Sequence, residues 1–317
     1  MTIQWEKTVL LFPGQGSQAV GMGAEIAAEI TAAREVYALA DSILGYSLSR
    51  LCFEGPAEQL DLTQYTQPAL YVTGIAVLHA LEAVLGEEIT PLAAAGHSLG
   101  EFTALTTAGA LPFDAGLRLV AERGRLMAEA GEKHPGGMAA LLGGDLATAH
   151  TICDQASRET GNPVVIANDN CPGQVVISGD NLAITCALEL AKAHGIRRAV
   201  RLHVSVATHS PLMEPASASF RTAIQTVRLR KPFIPVIGNV SAALLPDAEA
   251  IQAELNAQLT STVRWSESIM ALRRMGGETF LELGSKDVLS GLLKRIDSEA
   301  TAIPVNTLES LQGLAAS

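Results

Sequence analysis

Ser98 sits in Gly96-His97-Ser98-Leu99-Gly100, a G-x-S-x-G pentapeptide between an apolar run, "LAAAG" (92–96), and a stretch of helical character from about Glu101 onward. Glycines on both sides permit a strand-to-helix turn too tight for side chains, a nucleophile elbow that lifts the serine hydroxyl above the end of its strand. The pentapeptide alone is equally compatible with a serine that merely caps a helix. A serine hydroxyl is a weak nucleophile near neutral pH and needs a base to take its proton. The chain has seven histidines. His97 is adjacent, but an elbow turns neighbouring side chains apart. His79, His150 and His194 lie in helical patterns, His134 in a loop, and His203 alternates with Leu202 and Val204 in a strand pattern. His209 follows a strand and precedes Ser210-Pro211, an N-cap with proline at the first helical position. A helix N-terminus disfavours an imidazolium and keeps the ring able to accept a proton, so His209 is the assigned base.

A second group with chemical potential lies in "FDAGLRLVAERGRLMAEA" (113–130), which carries three arginines at helical spacing. Arg118 and Arg125 have Asp114, Glu122 or Glu129 three or four residues away and read as solvated and ion-paired. Arg123 has Leu119, Val120, Leu126 and Met127 at those offsets, which places its guanidinium on the buried face. A buried charge needs a partner, either an internal acid or an anionic ligand. A guanidinium grips a carboxylate through two parallel hydrogen bonds, so a carboxylated acyl group suits the second case.

The loop "FPGQGSQAVGMG" (12–23) formally satisfies the dinucleotide fingerprint G-x-G-x-x-A through Gly14, Gly16 and Ala19. That fold requires a second strand ending in an acid about 20 residues later. "AAREVYALADSIL" (32–44) instead reads as helix throughout. The glycine-rich loop is better used beside the elbow, where the backbone N–H groups of Gln15 and Leu99 would together hold an oxyanion.

The elements that must position these groups alternate between apolar β-type runs and helices, the pattern of a parallel α/β sheet. Strands are expected at 8–12, 92–96, 234–240, 279–283 and 302–306, and helices at 24–44, 69–85, 101–108, 114–130, 211–227, 247–259, 265–275 and 287–298. Between them lies a β-α-β-β-α-β order, the ferredoxin-like unit: strands "MAALLG", "PVVIAN", "QVVISG" and "RAVRLHV" (198–204), with helices near 145–159 and 181–194. The organisation expected is a large domain of 1–130 and 204–317 interrupted by a small domain of 131–203, with a site in the crevice between them.

Bulk properties narrow the function. The 317 residues, 48% hydrophobic and 17% charged, describe an ordered chain of about two domains. A net charge of −11 argues against a nucleic-acid binder, which needs basic surface. Cys52, Cys153, Cys171 and Cys186 are far apart with no C-x-x-C pair, so neither a disulfide framework nor a zinc site is expected, and a reducing cytoplasm fits. Five apolar residues after Glu6 and Lys7 fall short of a signal peptide's apolar region. His79 and Glu82 interrupt the most apolar stretch (69–85), so no membrane span is expected.

Taken together, "FPGQGSQAVGMG", "TQPAL" (66–70), "GHSLGE" (96–101), "ERGRLM" (122–127), "NDNCPGQVVISG" (168–179), "VSVATHSPLM" (204–213) and "FLELGSKDVLSGLLKRI" (280–296) resemble the malonyl-CoA:acyl carrier protein transacylases over nearly the whole chain. The resemblance implies an α/β-hydrolase-like large domain with a ferredoxin-like insert. It implies that Ser98 is acylated, His209 is its base, Arg123 clamps the malonyl carboxylate, and Gln15 with Leu99 forms the oxyanion hole. It further implies that a glutamine backbone carbonyl, here Gln258, orients the histidine in place of an acid, and that Gln67, Asn168 and Asn170 lie near the site. Gly284-Ser285-Lys286-Asp287 departs from the Gly-Pro-Gly-Lys turn common in the family, so Lys286 receives no role.

The activity so implied is ping-pong transfer of malonyl from coenzyme A to the phosphopantetheine thiol of an acyl carrier protein. It would need no metal or other cofactor and would be carried out by a monomer. Carrier proteins are acidic, so a basic dock is expected. "KAHGIRRAVRLH" (192–203) supplies Lys192, Arg197, Arg198 and Arg201; "RLRK" (228–231) and Lys294-Arg295 are two further clusters. A serine thioesterase of the same fold, a polyketide acyltransferase with another extender unit, a nicotinamide-dependent oxidoreductase and a silent scaffold are the alternatives. Arg123 and the lack of a motif-defined acid favour transfer.

Overall fold

"TVLLF" is apolar from Val9 to Phe12 without the alternation of a half-exposed strand, the signature of a strand covered on both faces. The structure, a computed structural model, describes residues 3–202, 204 and 206–315. In it these residues form β1 (Thr8–Phe12), buried along its whole length. The remaining strands are β2 (Ala93–Gly96), β3 (Gly136–Leu142), β4 (Val164–Cys171), β5 (Gln174–Asp180), β6 (Arg198–Arg201), β7 (Thr279–Leu283) and β8 (Thr301–Val305). One sheet has the order β2-β1-β7-β8, all parallel, and the other the order β4-β5-β3-β6, all antiparallel. The architecture is α/β, an α/β-hydrolase-like parallel sheet carrying an inserted ferredoxin-like unit.

Side-chain alternation along β1 feeds two cores. Leu10 and Phe12 join a large cluster with helices Thr31–Leu44, Thr63–Leu85 and Phe113–Lys133. Val9 and Leu11 face the opposite side and pack with Trp265, Ile269 and Leu293. Helix Thr63–Leu85 is long and apolar enough, by length and composition, to cross a membrane, but 72% of its apolar window is buried inside the protein. It begins six residues before the expected start, with Pro68 inside it. That extra turn places Gln67 in the core rather than in a loop.

Three expected elements differ. The helix expected over 24–44 is two, Ala24–Glu29 and Thr31–Leu44, separated by an extended Ile30, and the Arg34 guanidinium takes the freed carbonyls of Ala27 and Ala28. The strand expected at 234–240 is reduced to single bridges at Val236 and Ile237. Beyond them the chain turns around the buried Glu254 carboxylate, which accepts from the N–H groups of Val240 and Ser241. The last strand of the insert stops at Arg201 rather than continuing to residue 204; His203 lies outside the described residues. Short helices at Leu48–Glu54, Ala57–Leu60 and Leu308–Ala315 were not expected.

The elbow follows β2. Ser98 has φ 51°, in the left-handed region, and helix Gly100–Thr107 starts two residues later. The flanking glycines are required by contact. A Cβ on Gly100 would lie 2.0 Å from the Phe12 carbonyl oxygen, and one on Gly96 would lie 1.9 Å from the Gly100 carbonyl. Gly100→Ala is therefore expected to destabilise the protein by about 3 kcal/mol. Gly291→Ala, at an exposed position of helix Val288–Ile296 with open space around it, should be neutral or stabilise by about 0.5–1 kcal/mol. Urea unfolding of both variants is the measurement, and equal midpoints would contradict the packing argument.

Candidate active site

Four segments far apart in sequence meet at the elbow. Ser98 Oγ lies 2.8 Å from His209 Nε2, and His209 Nδ1 lies 2.8 Å from the Gln258 carbonyl oxygen. A carbonyl can only accept, so Nδ1 carries the proton and Nε2 is left to receive one from the serine. The His209 backbone is itself left-handed, with φ 62°, and its N–H donates to the Leu259 carbonyl at 2.9 Å. Ser210 caps the turn Pro211–Met213 as expected. Burial, and then the neighbouring Arg123 charge, lower the imidazole pKa to about 3. These two causes, rather than the helix N-terminus inferred from sequence, keep the ring neutral.

Arg123 is completely buried, as its helical spacing predicts. Nη2 donates to Ser98 Oγ at 3.2 Å and to Gln258 Oε1 at 3.0 Å. Nη1 donates to Gln67 Oε1 and, at 3.3 Å, to Met127 Sδ. Its CZ stands 5.7 Å from the centre of the Phe102 ring. Nε has no partner among the described residues, and no carboxylate forms an ion pair with the guanidinium there. Burial lowers its pKa to about 10, which leaves it charged at neutral pH. Gly124 makes this arrangement possible, because a Cβ there would lie 2.9 Å from the Thr63 carbonyl oxygen and hold the Gln67 helix away. Of the other two arginines, Arg125 pairs with Glu122 and Glu129; Arg118 is exposed and has no ion pair among the described residues.

Gln15 and Leu99 both have backbone N–H groups without a hydrogen-bond partner among the described residues. The Gln15 side chain is tied down, donating to Thr63 Oγ1 at 3.2 Å and accepting from Gln67 Nε2 at 3.0 Å. The Ser98 N–H is occupied by Asn239 Oδ1 at 2.6 Å, which leaves the Leu99 N–H as the free donor at the helix start. The loop after β1 does not open directly into a helix, which begins only at Ala24, so the dinucleotide fingerprint has no phosphate-binding helix behind it.

The serine opens into a cavity of about 330 Å³ between the two sheets. Gln15, Gln67, Ser98 and His209 line one side, and Asn168 and Asn170 the other. The register of β4 shifts between Ile166 and Asn168 and again between Asp169 and Cys171, bulges that re-aim the two asparagines at the cavity. Asn170 Oδ1 lies 2.8 Å from His97 Nε2, and the His97 ring packs edge-on against Trp265. A more open hollow of about 850 Å³ near Lys7 and Arg273 holds none of these groups.

Sequence reasoning missed two buried residues here. Asn239 donates to the Gly96 carbonyl at 2.8 Å while accepting from Ser98, so it staples the elbow backbone; nothing in a single sequence marks it. Glu101 is fully buried beneath the serine. Its signal was legible, because Ala104 and Leu105, three and four residues on, are apolar, as at Arg123. Among the described residues no three His, Cys, Asp or Glu side chains converge as metal ligands would.

The basic residues lie apart from this centre. Arg197, Arg198 and Arg201 are exposed on or next to β6, the edge strand of the small sheet, and Lys192 is exposed in the last turn of helix Asn181–Ala193. Leu202, the residue after that strand, lines the cavity.

A serine on an elbow, a carbonyl-oriented histidine and two free N–H donors are the equipment of an acyl-transfer enzyme with a covalent acyl-serine step. The acyl transferase domain family matches residues 9–308. The chain is 44% identical to the malonyl CoA-acyl carrier protein transacylase of Bacillus subtilis over 306 residues, covering 96% of this chain and 95% of that protein. The transacylase from Coxiella burnetii superimposes with a TM-score of 0.94 at 40% identity, covering 98% and 97% of the two chains. The malonyl-transacylase in a complex with its type II PKS acyl-carrier protein matches at TM-score 0.94 and 37% identity, covering 98% and 99%. The chain belongs to the malonyl CoA-acyl carrier protein transacylase family of acyl transferases.

The lowered imidazole pKa has a kinetic consequence. An ordinary histidine would lose its function as a base below about 6.5, whereas a ring protonated only near 3 stays available through the mildly acidic range. The acylation rate of Ser98 is expected to hold within about twofold from pH 8 to pH 5 in a rapid-quench measurement. A limb centred near 6.5 would show that the imidazole is solvated.

Proposed function

We propose that this protein transfers a malonyl group from coenzyme A to the phosphopantetheine thiol of an acyl carrier protein through a malonyl-Ser98 ester. The single observation that carries the reading is Arg123, a buried cation touching the nucleophile and hydrogen-bonded, among the described residues, to neutral groups only. A hydrolase for neutral acyl groups has no use for such a charge, whereas a substrate with a free carboxylate does.

His209 Nε2 takes the Ser98 proton as Oγ attacks the thioester carbonyl. The oxyanion is held by the N–H groups of Gln15 and Leu99, each worth roughly 3–4 kcal/mol by comparison with similar donors. Collapse breaks the carbon–sulfur bond, and the coenzyme A thiolate leaves with the proton from His209. The carrier thiol then attacks the ester carbonyl, passes its proton to His209, and Ser98 leaves with that proton restored. The malonyl carboxylate takes the place of Gln67 Oε1 and Met127 Sδ on Arg123 Nη1; Met127 is a flexible thioether that can give way. Asn168 and Asn170 provide polar contacts for the pantetheine arm. The basic residues Lys192, Arg197, Arg198 and Arg201 form the dock for an acidic carrier.

Intact-mass measurement after brief exposure to malonyl and acetyl thioesters tests the core of this reading. The parent should gain one malonyl group and Ser98→Ala none. Arg123→Ala should lower the preference for malonyl over acetyl roughly 10–150-fold, the loss of about 1.5–3 kcal/mol of charge-assisted hydrogen bonding. Labelling of Ser98→Ala, or an unaltered preference in Arg123→Ala, would reject it. For the dock, Arg197→Glu with Arg198→Glu should raise KM for the carrier protein roughly tenfold and leave coenzyme A thioester use unchanged. Equal losses on both substrates would remove these residues from docking.

A further inference from the structure

Among the described residues Glu101 is the one acid that reaches the hydrogen-bond network of the site, and the mechanism above does not use it. It stands in the first turn of helix Gly100–Thr107, completely buried, beneath Ser98. Oε1 accepts the Asn239 backbone N–H at 3.0 Å, and Oε2 accepts from Gln258 Nε2. The same Nε2 donates to the Ser98 carbonyl at 3.0 Å, while Oε1 of that amide accepts from Arg123. Gln258 is therefore a hub with a fixed polarity: its N–H end must face the acid and the elbow, so its oxygen end must face the guanidinium. Its main-chain oxygen meanwhile holds His209.

We propose that Glu101 is a positioning residue for carboxylate selection, acting through Gln258: by accepting from the amide alongside the Ser98 carbonyl it fixes which end meets Arg123, and so aims the guanidinium. This inference rests on the reading of Arg123 as the carboxylate clamp. In Glu101→Gln the side-chain oxygen is still required by the Asn239 N–H, a backbone donor that cannot reverse. The new NH2 then faces Gln258 Nε2, donor against donor. If Gln258 flips, its oxygen meets the Ser98 carbonyl and its NH2 meets Arg123, which is no better. Either way the contact of Gln258 with Arg123 is strained or reversed although the volume is unchanged, and the guanidinium is left to Gln67, Ser98 and Met127.

The test is the ratio of kcat/KM for malonyl and acetyl thioesters, which is independent of how much of a preparation is folded. Glu101→Gln should lower it about tenfold, the order of one buried hydrogen bond. In a Gln258→Met background, which has no amide to orient, the added Glu101→Gln change should move the ratio by less than about threefold. That double variant has no donor–donor conflict, so it serves if Glu101→Gln alone does not accumulate. An unaltered ratio in Glu101→Gln, or a further tenfold fall when it is added to Gln258→Met, overturns the proposal. Arg123→Ala separates the two claims: if it too leaves the ratio unaltered, the clamp reading fails, and if it alone abolishes the preference, only the role of Glu101 fails.

Discussion

A guanidinium with no exposure to solvent and, among the described residues, no carboxylate against it is the constraint around which this site is built. Burying such a charge costs several kcal/mol unless hydrogen bonds replace its water. Here the replacements are neutral: the oxygens of Gln67 and Gln258, the Ser98 hydroxyl, the Met127 sulfur and the Phe102 face. A permanent ion pair would hold the cation more tightly and would also compete with any substrate carboxylate. Amides hold it in place yet can be exchanged for a better acceptor. The buried acid is kept one residue away, with Gln258 between it and the cation.

The same charge governs the nucleophile and its base. Its hydrogen bond to Ser98 Oγ favours the alkoxide, while its field, added to burial, disfavours an imidazolium at His209. The scaffold must hold both within hydrogen-bond distance of one oxygen atom. It does so with two left-handed residues, Ser98 and His209, each secured by long-range backbone contacts, one to Asn239 and the other to Leu259. Backbone strain of this kind persists only where surrounding structure over-determines it.

What could be read from the chain followed how local each signal was. The elbow was legible because its glycines are demanded by contacts between residues a few positions apart and the strand beside them. Arg123 was legible because helical spacing alone assigned it an apolar face, and the strands expected at 8–12, 92–96 and 279–283 were legible as short, largely apolar runs. His209 was chosen correctly as the histidine beside the serine, but for a reason that turned out secondary. Asn239 was hidden within an expected strand, since the turn that delivers it is dictated by Glu254, a residue of the later helix Ala248–Gln258. The asparagines of β4 came from family resemblance, because the bulges that aim them are a property of pairing with β5 and not of their own segment. Roles that depend on two distant segments meeting were the ones a single sequence could not carry.

The choice of a carbonyl rather than a carboxylate behind His209 bears on why the acyl group goes to a thiol instead of water. A buried carboxylate at Nδ1 would stabilise the imidazolium and strengthen the base, as in hydrolytic triads. The Gln258 oxygen is neutral and leaves the imidazole weak. A weak base suffices for a thiol, whose proton leaves at a pKa of about 8.5, and is poorly matched to water, a far weaker acid. Serine itself is compensated by its direct contact with Arg123. An entering water has no such help, because Arg123 Nη2 is held by Ser98 Oγ and Gln258 and Nη1 by the malonyl carboxylate. Transfer over hydrolysis thus follows from the two features that the elbow serine shares with its neighbours, a neutral orienting group on one side and a cation pledged to the substrate on the other.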